Sequence, residues 1–250
     1  MLDGDVARLG TLIDAAVRAL ARGGPPPRGL PAFGLESTSG TAAVLLDGLA
    51  ARGLFRKYEL VLALGDALGQ TARWLAGGRL GCRAVATAPG AASAAVARAL
   101  TRRAGLQASA HHVPVAGAAL PFRDAVFTHV WLVESLPALG TPDVVLRAAW
   151  RVLRPGGHLA VQELRAAGGD DERIAVAAAA AGFVDVERRD AGADAVERSA
   201  RVQSARAALL DTLASSGGAT LAGEAARRRA LAVALADGRL RVVQLHARRP

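Results

Sequence analysis

Two acidic residues follow apolar runs in a way that could support chemistry. Glu134 comes directly after the apolar run that ends at Val133, and Glu163 comes near the end of the run that begins at residue 157. A carboxylate at the end of a strand can bind a cation or accept a proton from a substrate. Glu134 is therefore the candidate catalytic residue. The alternative is that both are solvated loop acids.

Other reactive side chains do not form a recognisable catalytic or metal-binding pattern. His111 and His112 are adjacent, and adjacent residues of a strand point to opposite faces, so one buried and one exposed histidine is predicted. Cys82 is the only cysteine, which excludes an internal disulfide and a cysteine-rich zinc site. No Ser-His-Asp order, metal-ligand spacing or phosphate-binding loop is present, so no metal is expected.

The elements that would position these residues alternate between short apolar strands and helices. Strands are predicted at 59–64, 82–88, 108–113, 126–131, 157–164, 183–189 and 240–247, and helices at 70–77, 91–103, 142–153 and 172–181. Thr141 is expected to cap the helix that starts at Pro142. This alternation predicts an α/β fold with a mainly parallel sheet covered on both faces.

Helical spacing also indicates two flanking regions. Apolar residues from Val6 to Leu20 and a second helix over 42–51 predict an N-terminal helical lid. Residues 194–236 predict two amphipathic helices, broken at 215–218, inserted before the last strand. The predicted divisions are a lid at 1–54, a core at 55–190, an insert at 191–238 and the last core strand at 239–250.

A glycine turn, VLALGDALG at 61–69, joins the first strand to its helix, and it is followed at fitting distances by LPFRD at 120–124 and RVLRPGG at 151–157. Together these segments resemble the class I S-adenosylmethionine (SAM) methyltransferases. The likeness is closest to small-molecule enzymes of the sarcosine and dimethylglycine type, through TARWLA at 71–76, VWL at 130–132 and QE at 162–163. The resemblance implies a Rossmann-like sheet of seven strands in the order 3-2-1-4-5-7-6, with the last strand antiparallel.

The resemblance also places the cofactor site and shows which of its acids are missing. The acids of the family fall at Ala63, at Ala88 or Thr87, and at Ala116, and a close-approach glycine falls at Ala67, where a need for positive φ would strain alanine. Asp66 could contact the SAM ammonium or cap the following helix. The positions of this degraded site are Gly65, Asp66, Gly69, Thr87, Ala88, Ala116 and Leu120, so binding of SAM or S-adenosylhomocysteine is expected to be weak or absent. A nicotinamide enzyme is a weaker alternative, because GDALG is not G-x-G-x-x-G.

The amino-acid composition limits the classes of partner that the protein could bind. The 250 residues carry a net charge of +9, but the arginines are scattered, aromatic residues make up only 4%, and Lys57 is the only lysine. A GC-rich genome explains the excess of arginine better than a nucleic-acid-binding groove does. The longest apolar run, Ile174 to Ala181, is too short to span a bilayer. No nucleic-acid or membrane partner is expected, and a cytoplasmic location is predicted.

The sequence therefore favours a methyltransferase-like protein with a degraded SAM site. It would act as a non-catalytic partner subunit or bind an altered small-molecule ligand. The alternative is an active SAM-dependent small-molecule methyltransferase. A dimer is expected, either with itself or with an intact methyltransferase homologue. A fold that has lost its ligand contacts needs another role, and a protein interface is the simplest candidate.

Overall fold

The computed structural model describes residues 42–51, 59–77, 81–169, 172–197 and 219–250, together with Gly10 and Asp211. Its strands are β1 Leu60–Ala63, β2 Arg83–Ala88, β3 Ala110–Pro114, β4 Phe127–Val133, β5 Leu153–Ala166, β6 Val184–Asp190 and β7 Leu240–Arg248. Its helices are α1 Ala42–Ala51, α2 Gln70–Gly77, α3 Ala91–Arg103, α4 Leu136–Leu139, α5 Pro142–Val152, α6 Glu172–Ala180 and α7 Ala219–Ala236.

The seven strands form one sheet in the order β3-β2-β1-β4-β5-β7-β6. Strands β1 to β5 pair in parallel, and β7 is antiparallel to both β5 and β6. The predicted order and the antiparallel last strand are confirmed. Because β1 and β4 are neighbours at the point where the strand order reverses, their carboxyl ends flank the position where α/β sheets bind ligands.

Each face of the sheet is covered by its own apolar cluster. On one face, α1 and α2 pack their leucines against small strand residues and one tryptophan; the buried members are Leu46, Leu49, Val61, Ala63, Ala72, Leu75, Cys82, Ala84, Ala86, Ala110, Trp131 and Ala160. On the other face, α5 and α6 cover Leu62, Val130, Leu132, Leu159 and Val161. Apolar residues on both faces explain why the strands read as nearly continuous apolar runs.

Several local expectations need correction. Strand β5 begins at Leu153, directly after α5, whereas this strand was predicted to begin at residue 157. Pro142 does start α5, but Thr141 makes no side-chain capping bond. The short helix α4 after β4 was not predicted. Most of the predicted lid, the break at 215–218 and the first insert helix lie outside the described residues, so the domain division stays a prediction.

The prediction for the histidine pair agrees with the structure. His111 is exposed and His112 is buried. Cys82 is also buried, and this burial, reinforced by the charge of Glu59, raises the pKa of its thiol to about 11. A thiol that stays protonated is a poor nucleophile, so Cys82 is a small core residue.

Candidate functional site

The loop between β1 and α2 lies at the carboxyl edge of the sheet and depends on two glycines. Gly65 and Gly69 have φ values of 75° and 74°. A Cβ atom on Gly69 would lie 2.2 Å from Cε1 of His112, and one on Gly65 would lie 2.7 Å from Cβ of Ser135. The backbone turn therefore needs glycine at both positions. Ala67 has no positive φ, so the conditional strain considered for alanine at that site does not arise.

Asp66 holds the beginning of α2. Its Oδ2 accepts a hydrogen bond of 2.8 Å from the backbone N–H of Ala72. Burial raises the pKa of the Asp66 carboxyl to about 6, although bonds from the N–H groups of Ala72, Thr71 and Gln70 lower it in part. The geometry supports the helix-capping interpretation rather than a contact with an ammonium group.

A buried polar cluster fixes the loop from behind. Thr101 Oγ1 lies 2.6 Å from Nε2 of His112, and Arg73 Nη1 donates a bond of 2.7 Å to the carbonyl of Leu68. Desolvation lowers the pKa of Arg73 to about 9 and, together with the charges of Arg73 and Arg98, lowers that of His112 to about 3. Neutral His112 therefore packs against Gly69 at physiological pH. Sequence analysis did not predict this cluster, because residues 73, 101 and 112 are far apart in the chain and no local sequence pattern relates them.

At the end of β2 the structure distinguishes between the two positions considered for the missing acid. Thr87 Oγ1 accepts a bond of 2.8 Å from the N–H of Gly65, so Thr87 is the residue that faces the glycine loop. Ala88, like Ala63 on β1, is only 1% exposed, so protein atoms cover both methyl groups. Ala116, after β3, is exposed. None of these positions carries a charge.

The segment at 120–124 is held by an arginine of the segment at 151–157. Arg151, the first residue of RVLRPGG, donates bonds of 2.9 Å and 2.8 Å to the carbonyls of Leu120 and Phe122, and its Nη1 lies 2.7 Å from Asp124 Oδ1. This contact joins the two segments at the edge of the site. Leu120 itself is buried, so it shapes the core beneath the site.

Beyond β4, Glu134 and Glu163 lie close enough for their charges to interact. Glu134 has a φ of 54°, an uncommon backbone conformation for a residue other than glycine, and is half-buried. Ser135 donates its hydroxyl to the carbonyl of Leu64 at 2.8 Å, which ties this segment to β1. A strained residue at the end of a strand is a feature of functional sites, so Glu134 stays the catalytic candidate.

Glu163 is not the solvated acid at the pocket rim that the sequence suggested as an alternative. It is buried, and its Oε1 accepts bonds of 2.9 Å and 2.8 Å from the N–H groups of Ser135 and Leu136. Desolvation raises the pKa of its carboxyl to about 8, and the charge of Glu134 adds to this rise. Glu163 is therefore a structural acceptor that shapes the turn after β4.

Sequence analysis did not predict that three glutamines are buried. Gln70, at the start of α2, has no hydrogen-bond partner at either amide atom. Gln162 on β5 and Gln244 on β7 are paired across the strands, and each leaves one amide atom without a partner. An amide inside an otherwise apolar strand, as in AVQEL at 160–164, was the available signal, since such groups are normally satisfied.

The positions at this edge where the resemblance implies acids carry no carboxylate. The hydroxyl of Thr87 accepts the Gly65 N–H and can accept one further hydrogen bond, while Ala88 and Ala116 offer only methyl groups. Within the described part of the chain, no three His, Cys, Asp or Glu residues form a group that could hold a metal ion. No helix of that part is long and apolar enough to cross a membrane.

Comparisons with known proteins agree with this fold. Residues 62–161 match the family model described as a methyltransferase domain. Methyltransferase GfsG of Streptomyces halstedii is 34% identical over 108 residues, which cover 42% of this chain and 37% of that protein. The chain therefore spans well under half the length of this relative.

Solved structures resemble more of the chain. The [4+2]-cyclase SpnF superposes with a TM-score of 0.68 and 25% identity, covering 96% of this chain and 93% of that one. A candidate sarcosine dimethylglycine methyltransferase from Galdieria sulphuraria superposes with a TM-score of 0.66 and 19% identity, covering 83% and 84%. The second likeness shows the shared fold.

Proposed function

We propose that this chain, whose residues 62–161 match a family model described as a methyltransferase domain, no longer transfers methyl groups and binds a different small molecule. The observation that supports this proposal most directly is the arrangement of the residues at the end of β2. The residue facing the glycine loop is Thr87, whose hydroxyl accepts the Gly65 N–H, and the neighbouring Ala88 is covered by protein.

The free energy of the missing hydrogen bonds is large enough to weaken SAM binding. A hydrogen bond to a charged group contributes roughly 1.5–3 kcal/mol. Without the two carboxylates expected near Ala88 and Ala116, about 3–6 kcal/mol is missing, which corresponds to a factor of roughly 10²–10⁴ in affinity. A micromolar site would then bind SAM weakly, near the millimolar range.

The likeness to SpnF supports a role other than methyl transfer, since that protein of the same fold is named as a cyclase. The unpartnered amide of Gln70 also supports an altered ligand, because a bound polar group would satisfy it.

A second candidate function is an active SAM-dependent methyltransferase, and the specific observation that favours it is the 34% identical relative named as a methyltransferase. The predicted cytoplasmic location stays a prediction.

Calorimetric titration with SAM and S-adenosylhomocysteine separates the two functions. We expect dissociation constants weaker than about 100 μM for the wild-type chain. Thr87→Asp combined with Ala116→Asp should tighten SAM binding at least tenfold, because the carboxylate introduced at position 87 would still accept the Gly65 N–H and would add a charged acceptor. Ala116→Asp alone is the matched control for added charge at an exposed site.

The outcomes of this titration are distinct. Micromolar SAM binding by the wild-type chain, or methyl transfer to any small acceptor, would contradict the proposal in favour of the second function. Thr87 and Ala88 are equally covered, at 1% exposed each, but a carboxylate at position 87 would keep the Gly65 N–H as a partner, whereas one at position 88 would lack that bond and is expected to destabilise the fold.

We also propose that the chain forms a dimer, with itself or with an intact methyltransferase homologue, burying more than roughly 1,000 Å². The surfaces that we expect to take part are the helices around Val6 to Leu20, Ala207 to Leu213 and Ala225 to Leu235, and the first two lie outside the described residues apart from Gly10 and Asp211. Helix α7 contributes Val233, which is 52% exposed. An exposed apolar residue on a helix can form part of a binding face.

Light scattering coupled to gel filtration tests the dimer. We expect a mass about twice the 25.5 kDa of the chain, or a co-purifying homologue from the native host. Val233→Arg should shift the protein toward monomer, while Val176→Arg, at a similarly exposed valine of α6, should not. A monomer at tens of micromolar with no co-purifying partner would exclude this proposal.

A further inference from the structure

The positive charge of the protein is concentrated in one part of the chain. Residues 67–123 include seven arginines and no aspartate or glutamate, which leaves 24 of the 31 lysines and arginines against all 22 acidic residues elsewhere. The segment therefore carries +7 of the net charge of +9. It forms α2, β2, α3 and β3, at the β3 end of the sheet. The arginines are thus less scattered than the sequence alone indicated.

Helix α3 presents three of these arginines to solvent. They are Arg98, Arg102 and Arg103, and together they are named the basic edge. Arg98 and Arg102 are four residues apart, so they lie on the same side of the helix and about 6 Å apart along its axis. Among the described residues, no carboxylate forms an ion pair with either of them. Arg83 is not included, because its N–H donates a bond of 2.9 Å to the carbonyl of the acidic residue Glu59.

The free edge of β3, beside these arginines, is poorly suited to pairing with another strand. Ala110, His112 and Pro114 direct their backbone groups away from β2. Nη1 of Arg98 donates a bond of 3.1 Å to the carbonyl of His112, and the N–H of Ala110 donates one of 2.9 Å to the carbonyl of Leu106. Pro114 has no N–H to donate. A partner at this edge would therefore contact side chains rather than extend the sheet.

The basic edge also faces away from the N-terminal segment. Gly10 approaches α3 at Val96, since a Cβ atom on Gly10 would lie 2.5 Å from Val96 Cγ1. Val96 is two residues from Arg98, which is about 200° around the helix axis. On the side of the arginines, the exposed residues of the preceding turns are Ala91 and Ala95. Small side chains there let another helix approach α3 closely.

We propose that the basic edge binds an acidic protein, through a helix that carries aspartate or glutamate four residues apart. Guanidinium groups pair with carboxylates in a two-bond geometry. Carboxylates with that spacing repeat every 6 Å or so along a helix, which is about the separation of Arg98 and Arg102. A nucleic acid fits less well, because neither Trp74 nor Phe122, the aromatic residues of this segment, is exposed for stacking on bases. This surface is separate from the small-molecule site, so the inference goes beyond the proposed function.

The probe is a fluorescein-labelled helical peptide of about 20 residues, based on alanine and glutamine, with glutamates four residues apart. A control peptide of the same composition has its glutamates two residues apart, so that they point to opposite sides of the helix. Binding to the full chain is measured by fluorescence anisotropy at about 50 mM salt. We expect a dissociation constant of about 10–100 μM for the probe and at least fivefold weaker binding of the control peptide. The affinity for the probe should also fall at least fivefold at about 0.3 M salt, because exposed charges are screened.

The test variant is Arg98→Glu with Arg102→Glu, which should weaken binding of the probe at least tenfold or so, because like charges then face each other. Arg147→Glu with Arg154→Glu is the matched control. It makes the same change in net charge at two exposed arginines of α5 and β5, so binding should stay within about twofold of the wild type. Arg102→Glu alone keeps the bond from Arg98 to His112. It should weaken binding without lowering the melting temperature, which separates recognition from the integrity of the β3 edge.

Four results would overturn the inference. They are no binding of the probe up to about 1 mM, equal binding of the two peptides, equal losses for the two double variants, and tighter binding of a single-stranded oligonucleotide of the same charge as the probe. The last result would assign the basic edge to a nucleic acid instead. Tight SAM binding by the chain would contradict the proposed function and leave this inference unchanged, because the peptide titrations do not involve the small-molecule site.

Discussion

Replacing Gly69 by alanine is expected to destabilise the protein by about 2–5 kcal/mol. The residue has a φ of 74°, which an alanine adopts only with strain, and its new Cβ would lie 2.2 Å from Cε1 of His112. The imidazole cannot move away easily, because Thr101 Oγ1 lies 2.6 Å from its Nε2 in the buried cluster behind the loop. Urea denaturation followed by circular dichroism measures the change in the free energy of unfolding.

Gly105→Ala is the matched control for this prediction. Gly105 has a φ of 71°, but a Cβ there would have no heavy atom within 4 Å. It should therefore show only the backbone strain, about 1–2 kcal/mol. Equal losses for the two variants would show that the His112 contact adds nothing, and that the cluster does not fix the glycine loop.

Glu163→Leu is expected to cost about 2–6 kcal/mol, because it leaves the N–H groups of Ser135 and Leu136 without their acceptor. Glu163→Gln keeps an acceptor oxygen at the same position. It should therefore retain most of the stability, and at alkaline pH it should be more stable than the wild type. The comparison separates the acceptor role of Glu163 from its charge.

The difference in stability between the wild type and Glu163→Gln should change with pH in a definite direction. The pKa of Glu163 is about 8 in the folded protein, against an ordinary value of 4.5. Its contribution to stability is fully present below pH 4.5 and is lost as the pH rises through 8, because the folded state binds the proton more tightly. The raised pKa of Asp66 acts in both proteins, so it cancels in their difference.

Melting temperatures at pH 5, 7 and 9 measure this effect. Relative to Glu163→Gln, the wild-type melting temperature should fall steadily from pH 5 to pH 9. Parallel curves for the two proteins would mean that Glu163 is already ionised at pH 5. In that case burial does not control its charge, and the description of Glu163 as a buried structural acceptor would be wrong.

The sequence by itself determined the order of elements in this protein. Apolar strands alternating with helices predicted an α/β fold, and the segments at 61–69, 120–124 and 151–157 carried the family resemblance that implied the sheet order of the structure. Such patterns are readable because they are local: a glycine turn, a proline at a first helical position and an apolar run each act on their own few residues. The histidine pair was predictable for the same reason, since alternation along one strand decides which side chain is buried.

Tertiary structure alone decided what the side chains at the site do. That Thr87 rather than Ala88 faces Gly65 depends on how β1 and β2 pair, and the burial of Glu163 depends on the turn that follows β4. The amide pair arises because β5 and β7 bring residues 162 and 244 together. These contacts join residues 22 to 82 positions apart in the chain. Their energies come from desolvation and hydrogen-bond geometry, which are set only when the strands are in register.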